Sequence, residues 1–218
     1  KQFDQQLFIE KMKEWAIENQ MLASTVIGPS TRKFLETMME GGDVIKAGRT
    51  GDTNGAAMRV APIGIYYHKN IDQAIDAAIA SALPSHGSKP GVASACAIAA
   101  AVAKSIAGSS LPEIMETAIL AAERGEANGF DIPAPSVSVR IRLAKEIVDR
   151  HQDQPLDEIA FLLYQYIGAG MKAYESIPLS LGVFYAAKGQ VEQGVTAVVN
   201  IGDDADTNGA IVGALCGA

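Results

Sequence analysis

The chain has 218 residues, 48% of them hydrophobic and 20% charged, a globular balance that excludes a disordered or collagen-like chain. Its net charge of −7 argues against general nucleic-acid binding, because an acidic surface repels phosphate backbones. No run of about 18 apolar residues is free of charge or helix-breaking residues, so no membrane span is expected.

The 35 alanines favour helices that approach one another closely, and almost no segment alternates apolar and polar with period two. Phe3, Leu7, Phe8, Lys11, Met12 and Trp15 form the stripe of an amphipathic helix without a signal-peptide core. Ser30, after Pro29, predicts a capped helix to Met39, ended by Gly41 and Gly42. Asn70 caps a helix over 71–82, and Pro90 suits the first turn of a small-residue helix that Gly108 stops. Ser110 and Glu113 form a capping box for a helix closed by Gly125. Residues 125–135 then read as the longest loop. Further helical patterns cover 136–150, 156–167, 178–187 and 191–199, although the β-branched run Val195–Val199 also suits a strand. A last helix starts near Thr207. The expected architecture is all-α, one compact multi-helix domain over 1–218 with about ten helices.

Two cysteines, Cys96 and Cys216, provide neither a disulfide framework nor a zinc set. They read as small buried residues of a reducing, cytoplasmic setting.

Several segments carry groups with chemical potential. In Gly202–Thr207, the carboxylates of Asp203, Asp204 and Asp206 and the hydroxyl of Thr207 lie within five residues. Hard cations such as Mg²⁺ and Mn²⁺ take oxygen ligands, and in an irregular turn Asp204 and Asp206 can reach one ion. The simpler alternative is that Asp204 or Asp206 only caps the following helix. The loop Gly51, Asp52, Thr53, Asn54, Gly55 can bring backbone N–H groups close to a phosphate or sugar, or serve only as a helix-starting turn. It is neither a Walker A loop nor a Rossmann fingerprint. His86 follows Ser85 and precedes Gly87 in what reads as a loop, free to face a pocket or solvent. Glu175 reads as a cap ahead of a Pro178-started helix. Arg140, Arg142 and Lys145 read as a solvated face paired with Glu146 and Asp149, and His68 and His151 as helix-end groups.

In this order the segments Ile27–Thr31, Asn54–Gly64, Ser85–His86, Glu175–Pro178 and Gly202–Ile211 resemble the ADP-ribosylglycohydrolase family over essentially the whole chain. The resemblance implies an all-helical fold with a binuclear Mg²⁺ or Mn²⁺ centre. Asp204, Asp206 and Thr207 would be metal ligands. Gly51, Asp52, Thr53, Asn54 and Gly55 would line an ADP-ribose pocket, with Asp52 near the scissile sugar. His86 would contact the diphosphate or ribose. The implied partner is ADP-ribose or an ADP-ribosylated substrate, the bond N- or O-glycosidic, and the catalytic acid/base unassigned. The oligomeric state is open. The family draws its other metal ligands from an N-terminal Thr-Asp-Asp-Thr-like segment, which is not found here. The chain is therefore expected to be the middle and late part of a longer protein. Two alternatives stay open: a silent homologue that binds ADP-ribose or is structural, and a hydrolase of a smaller, nucleoside-like substrate.

Overall fold

The computed structural model describes residues 2–218. It is all-α, with two isolated bridges and no strand among the described residues. The helices are α1 (Gln5–Glu18), α2 (Pro29–Met39), α3 (Val44–Gly48), α4 (Gly55–Met58), α5 (Ala61–Tyr66), α6 (Ile71–His86) and α7 (Lys89–Ile106). They continue with α8 (Leu111–Asn128), α9 (Val137–Arg150), α10 (Leu156–Ile167), α11 (Ala173–Ala186), α12 (Val191–Ile201) and α13 (Ala205–Cys216). A 3-10 turn, Met21–Ala23, joins α1 to α2.

Local chemistry explains most of the helix starts. The side chains of Asp4, Asn70, Ser88 and Ser136 each accept the N–H of the residue three positions on. Ser110 and Glu113 close a capping box. Ser30 is not a cap: Gly28 holds that place, and Ser30 is the second residue of α2. At α7, Gly108 takes φ +71°, a backbone that an L side chain resists.

At the centre lies α7, buried on every face from Pro90 to Ala103. Such a helix belongs to a core, and its small side chains let neighbours come close. At Gly125 of α8, an added Cβ would stand 2.6 Å from the Ala93 Cα. A second apolar cluster joins α9 to α13 through Leu163, Leu179, Val183, Val198 and Val212. A third ties α1 to α2 through Ala16, Phe34, Leu35 and Met38. Cys96 is buried and Cys216 half-buried, and both are free thiols. Burial pushes the Cys96 thiol up to about 12.

Two prolines lie inside helices, where the sequence pattern predicts boundaries. A helical proline lacks the N–H that its residue i−4 carbonyl needs. For Pro84 of α6 that carbonyl is Ala80 O, which accepts Gln5 Nε2 at 2.7 Å. For Pro178 of α11 it is Tyr174 O, which accepts Arg140 Nη1 at 3.1 Å. With these carbonyls satisfied, α6 runs on to His86 instead of stopping at 82, and α11 starts at Ala173 instead of 178. Three readings are corrected with them. His86 is helical, not in a loop; Glu175 lies within the first turn of α11; and Arg140 is a carbonyl cap, not part of a solvated face. Lys145 does pair with Asp149, and Arg150 rather than Arg142 pairs with Glu146. Residues 191–199 are helical, α8 extends past Gly125 to Asn128, and α13 begins two residues before Thr207.

Candidate functional site

Three connections between helices build the site. Residues 49–54 lead into α4, 168–172 into α11, and 202–204 into α13. They are knit by backbone bonds from Asn54 N to Met171 O (2.9 Å), Ala173 N to Asp52 O (2.9 Å) and Asp204 N to Ala169 O (3.2 Å). Segments far apart in sequence are thereby fixed side by side.

Beneath them runs a buried polar seam. Asn54 Nδ2 donates to Asp204 Oδ2 (2.5 Å) and to Ser176 Oγ (2.9 Å). Ser176 Oγ donates to Asn208 Oδ1 (2.6 Å), which also accepts Ser180 Oγ (3.2 Å). Asn208 Nδ2 donates to Ala169 O (2.9 Å). Asn54, Ser176, Ser180 and Asn208 are all buried. Asp204 precedes α13, but its side chain accepts no backbone N–H from that helix. Its partners are the side chains of Asn54 and Thr207, the latter at 3.2 Å. A simple capping role for Asp204 is therefore not what the geometry shows.

A second line of hydrogen bonds orients His86. Arg59 Nη2 donates to Ser85 Oγ (2.8 Å) and to Ser81 O (2.9 Å). Ser85 Oγ lies 2.8 Å from His86 Nδ1, and His86 Nε2 lies 3.1 Å from Thr53 Oγ1. Thr53 Oγ1 donates to Ser30 Oγ at 3.1 Å. The proton order that serves every group has the Ser85 hydroxyl donating to Nδ1 and the ring proton on Nε2. His86 is fully buried; its burial, then the nearby Arg59 cation, hold its pKa well below the usual histidine value. Burial also brings Arg59 down to about 10, still a cation at neutral pH. Gly55 is small by necessity, since an added Cβ would meet His86 Nε2 at 2.7 Å.

These groups line one cavity of about 580 Å³. Thr53, Asn54, Gly55, His86, Asp204, Asp206 and Thr207 all face it, so three separately chosen segments converge. Gly51 and Asp52 instead line an adjoining cavity of about 310 Å³, divided from the first by Pro29, Thr53 and Met171. There Asp52 Oδ2 binds Lys172 Nζ at 2.6 Å. The hydrogen bond to Asp52 raises the Lys172 pKa. The sequence reading did not include Arg59, Asn208 or Met171 in the site. A charged residue in the otherwise apolar run Ala56–Ile63 was the available signal for Arg59.

The sequence matches the family model of ADP-ribosylglycohydrolase over residues 1–218. The chain belongs to this family. It is 30% identical over 216 residues to the uncharacterized protein YegU of Escherichia coli (strain K12). It is 32% identical over 216 residues to an uncharacterized protein of Archaeoglobus fulgidus. Each alignment covers 99% of this chain and 64% of the relative, so the chain spans under two thirds of their length. No helix among the described residues is long and apolar enough to cross a membrane.

Proposed function

We propose that this chain carries the sugar-nucleotide cavity and one set of metal ligands of a divalent-metal-dependent hydrolase that cleaves an ADP-ribosyl glycosidic bond. The observation that carries the reading is the convergence of Asp204, Asp206 and Thr207 with Asn54 and His86 on one cavity. Two carboxylates and a hydroxyl are the oxygen donors that Mg²⁺ or Mn²⁺ takes, so the donor type fits. Asp204, Asp206 and Thr207 would hold the ion. When bound, it would supply electrophilic polarisation at the sugar.

The chain's own residues do the rest. Asn54 fixes Asp204 in one orientation, leaving no rearrangement to be made during reaction. His86, neutral and held at both ring nitrogens, shapes the cavity and fixes the Thr53 hydroxyl beside it without adding a charge. Arg59 has no carboxylate partner among the described residues, and its buried Nε has no partner at all, which suits an anionic ligand. Lys33 adds positive charge in the adjoining cavity, where Asp52 already neutralises Lys172, and the phosphates of a nucleotide are best received there.

A second reading, an ADP-ribose binder without catalysis, is favoured by one observation. No three His, Cys, Asp or Glu side chains come together as a metal cluster among the described residues. Calorimetry of ADP-ribose with and without Mn²⁺ separates the two. The hydrolase reading expects Mn²⁺ to tighten ADP-ribose, Asp204→Ala and Asp206→Ala to remove that gain, and metal-dependent release of ADP-ribose from a modified peptide. Binding indifferent to Mn²⁺ with no release selects the binder. No ADP-ribose heat under either condition overturns both.

A further inference from the structure

The same cavity has a wall that neither the metal ligands nor the phosphate-binding groups use. Met12 and Trp15 of α1, Met21 of the 3-10 turn, Val26, Ile27 and Met58 line it, and none carries a charge. Four of the chain's seven methionines, counting Met171, and its single tryptophan border this one space. Trp15 and Met58 are partly open to solvent, at 39% and 54%, so the wall reaches the mouth of the cavity.

We propose that this wall is the leaving-group subsite, and that the group released is an uncharged planar heterocycle: the substrate is an N-ribosylated aromatic ring, not a ribosylated arginine side chain. This rests on the hydrolase reading above and narrows it to a substrate class. An indole face and polarizable thioethers attract a flat ring through offset stacking and sulfur–aromatic contacts. Stacking of a base on an aromatic side chain is sequence-tolerant and substantial. A guanidinium can stack on the indole as well, but it also brings N–H donors that need acceptors. Among the described residues the acids lining the cavity are Asp204 and Asp206, the proposed metal ligands, so those donors would lie unpaired against apolar surface, whereas a ribosylated pyridinium ring has no N–H donor on its ring to satisfy. The phosphates have their own complement in Arg59 and Lys33, which leaves the apolar wall to the other side of the ribose. In the reaction, water oxygen bonds to the anomeric carbon as the carbon–nitrogen bond breaks. The electron pair goes to the ring nitrogen. A ribosylated pyridinium thus departs as a neutral ring, and the proton of the attacking water passes to solvent.

The single tryptophan makes the test direct. Nicotinamide and agmatine are each titrated into the chain while Trp15 fluorescence and heat are followed, and ADP-ribose heat is measured in parallel. Nicotinamide is expected to give a saturable fluorescence change, and agmatine none. Met58→Glu keeps the fluorophore and places a carboxylate on the wall at an exposed position. It is expected to weaken nicotinamide by roughly tenfold and to let agmatine bind. Trp15→Ala, followed by heat alone, is expected to weaken nicotinamide by roughly tenfold or more. Agmatine binding to the unmodified chain overturns the inference, as does failure of nicotinamide to saturate while ADP-ribose still binds. Loss of the ADP-ribose heat itself fails the parent reading instead, so the two failures are told apart.

Discussion

The central helix α7 and the polar seam beneath the site are equally buried and built on opposite rules. In α7, fourteen consecutive residues from Pro90 to Ala103 are shielded from water, and their small size is what matters. In the seam, the buried Asn54, Ser176, Ser180 and Asn208 are joined by hydrogen bonds to one another and, at the rim, to the half-buried Asp204, each with a defined donor and acceptor. The first region is specified by volume and the second by direction. A core specified by volume loses stability gradually. A directional network fails when one member is removed, because its neighbours are left buried and unpaired.

The sharpest way to break the comparison is Asn208→Ala. It leaves the Ser176 and Ser180 hydroxyls without their acceptor and removes one of the two donors to Ala169 O, and should cost about 3 kcal/mol in urea unfolding. The same variant should weaken ADP-ribose, because Ser176 and Asn54 lose their anchor. Ala97→Leu overpacks α7 and should cost about 2 kcal/mol while leaving the ADP-ribose heat as it was. If Ala97→Leu instead abolished binding, the two regions would not be independent.

His86 gives the pH arm. Its folded pKa lies below the unfolded value of about 6.5, so the unfolded chain takes up a proton first as pH falls. Its contribution is intact above about pH 6.5 and is lost below it, at up to about 1.4 kcal/mol per pH unit. Urea midpoints at successive pH values should show this slope, and His86→Gln should flatten it. The smallest effect sharpens the site loop. Asp203 takes φ +55°, and Asp203→Gly should raise stability by about 0.5 kcal/mol, read as a higher urea midpoint.

Much of this was legible in the sequence. Caps at Asn70 and Ser110, and glycine stops such as Gly108, announce themselves by local chemistry. The three segments that meet at the cavity also stood out, through their glycines, carboxylates and the Ser85–His86 pair. What stayed hidden depends on partners distant along the chain. Pro84 and Pro178 read as boundaries because the carbonyl caps from Gln5 and Arg140 are 75 and 34 residues away. Asp52 looked like a site carboxylate, but Lys172, 120 residues on, binds it in the adjoining cavity. The place of Arg59 against Ser81, Ser85 and Phe8 likewise depends on residues distant along the chain.

The Gln5 amide has a mechanical consequence. It fastens α1, the carrier of Met12 and Trp15, to the helix that ends in His86. Two elements that line the cavity are thus tied together by a side chain that does not itself line it. Prising α1 outward would widen the entrance and at once leave Ala80 O without a donor, so aperture and backbone satisfaction rise and fall together.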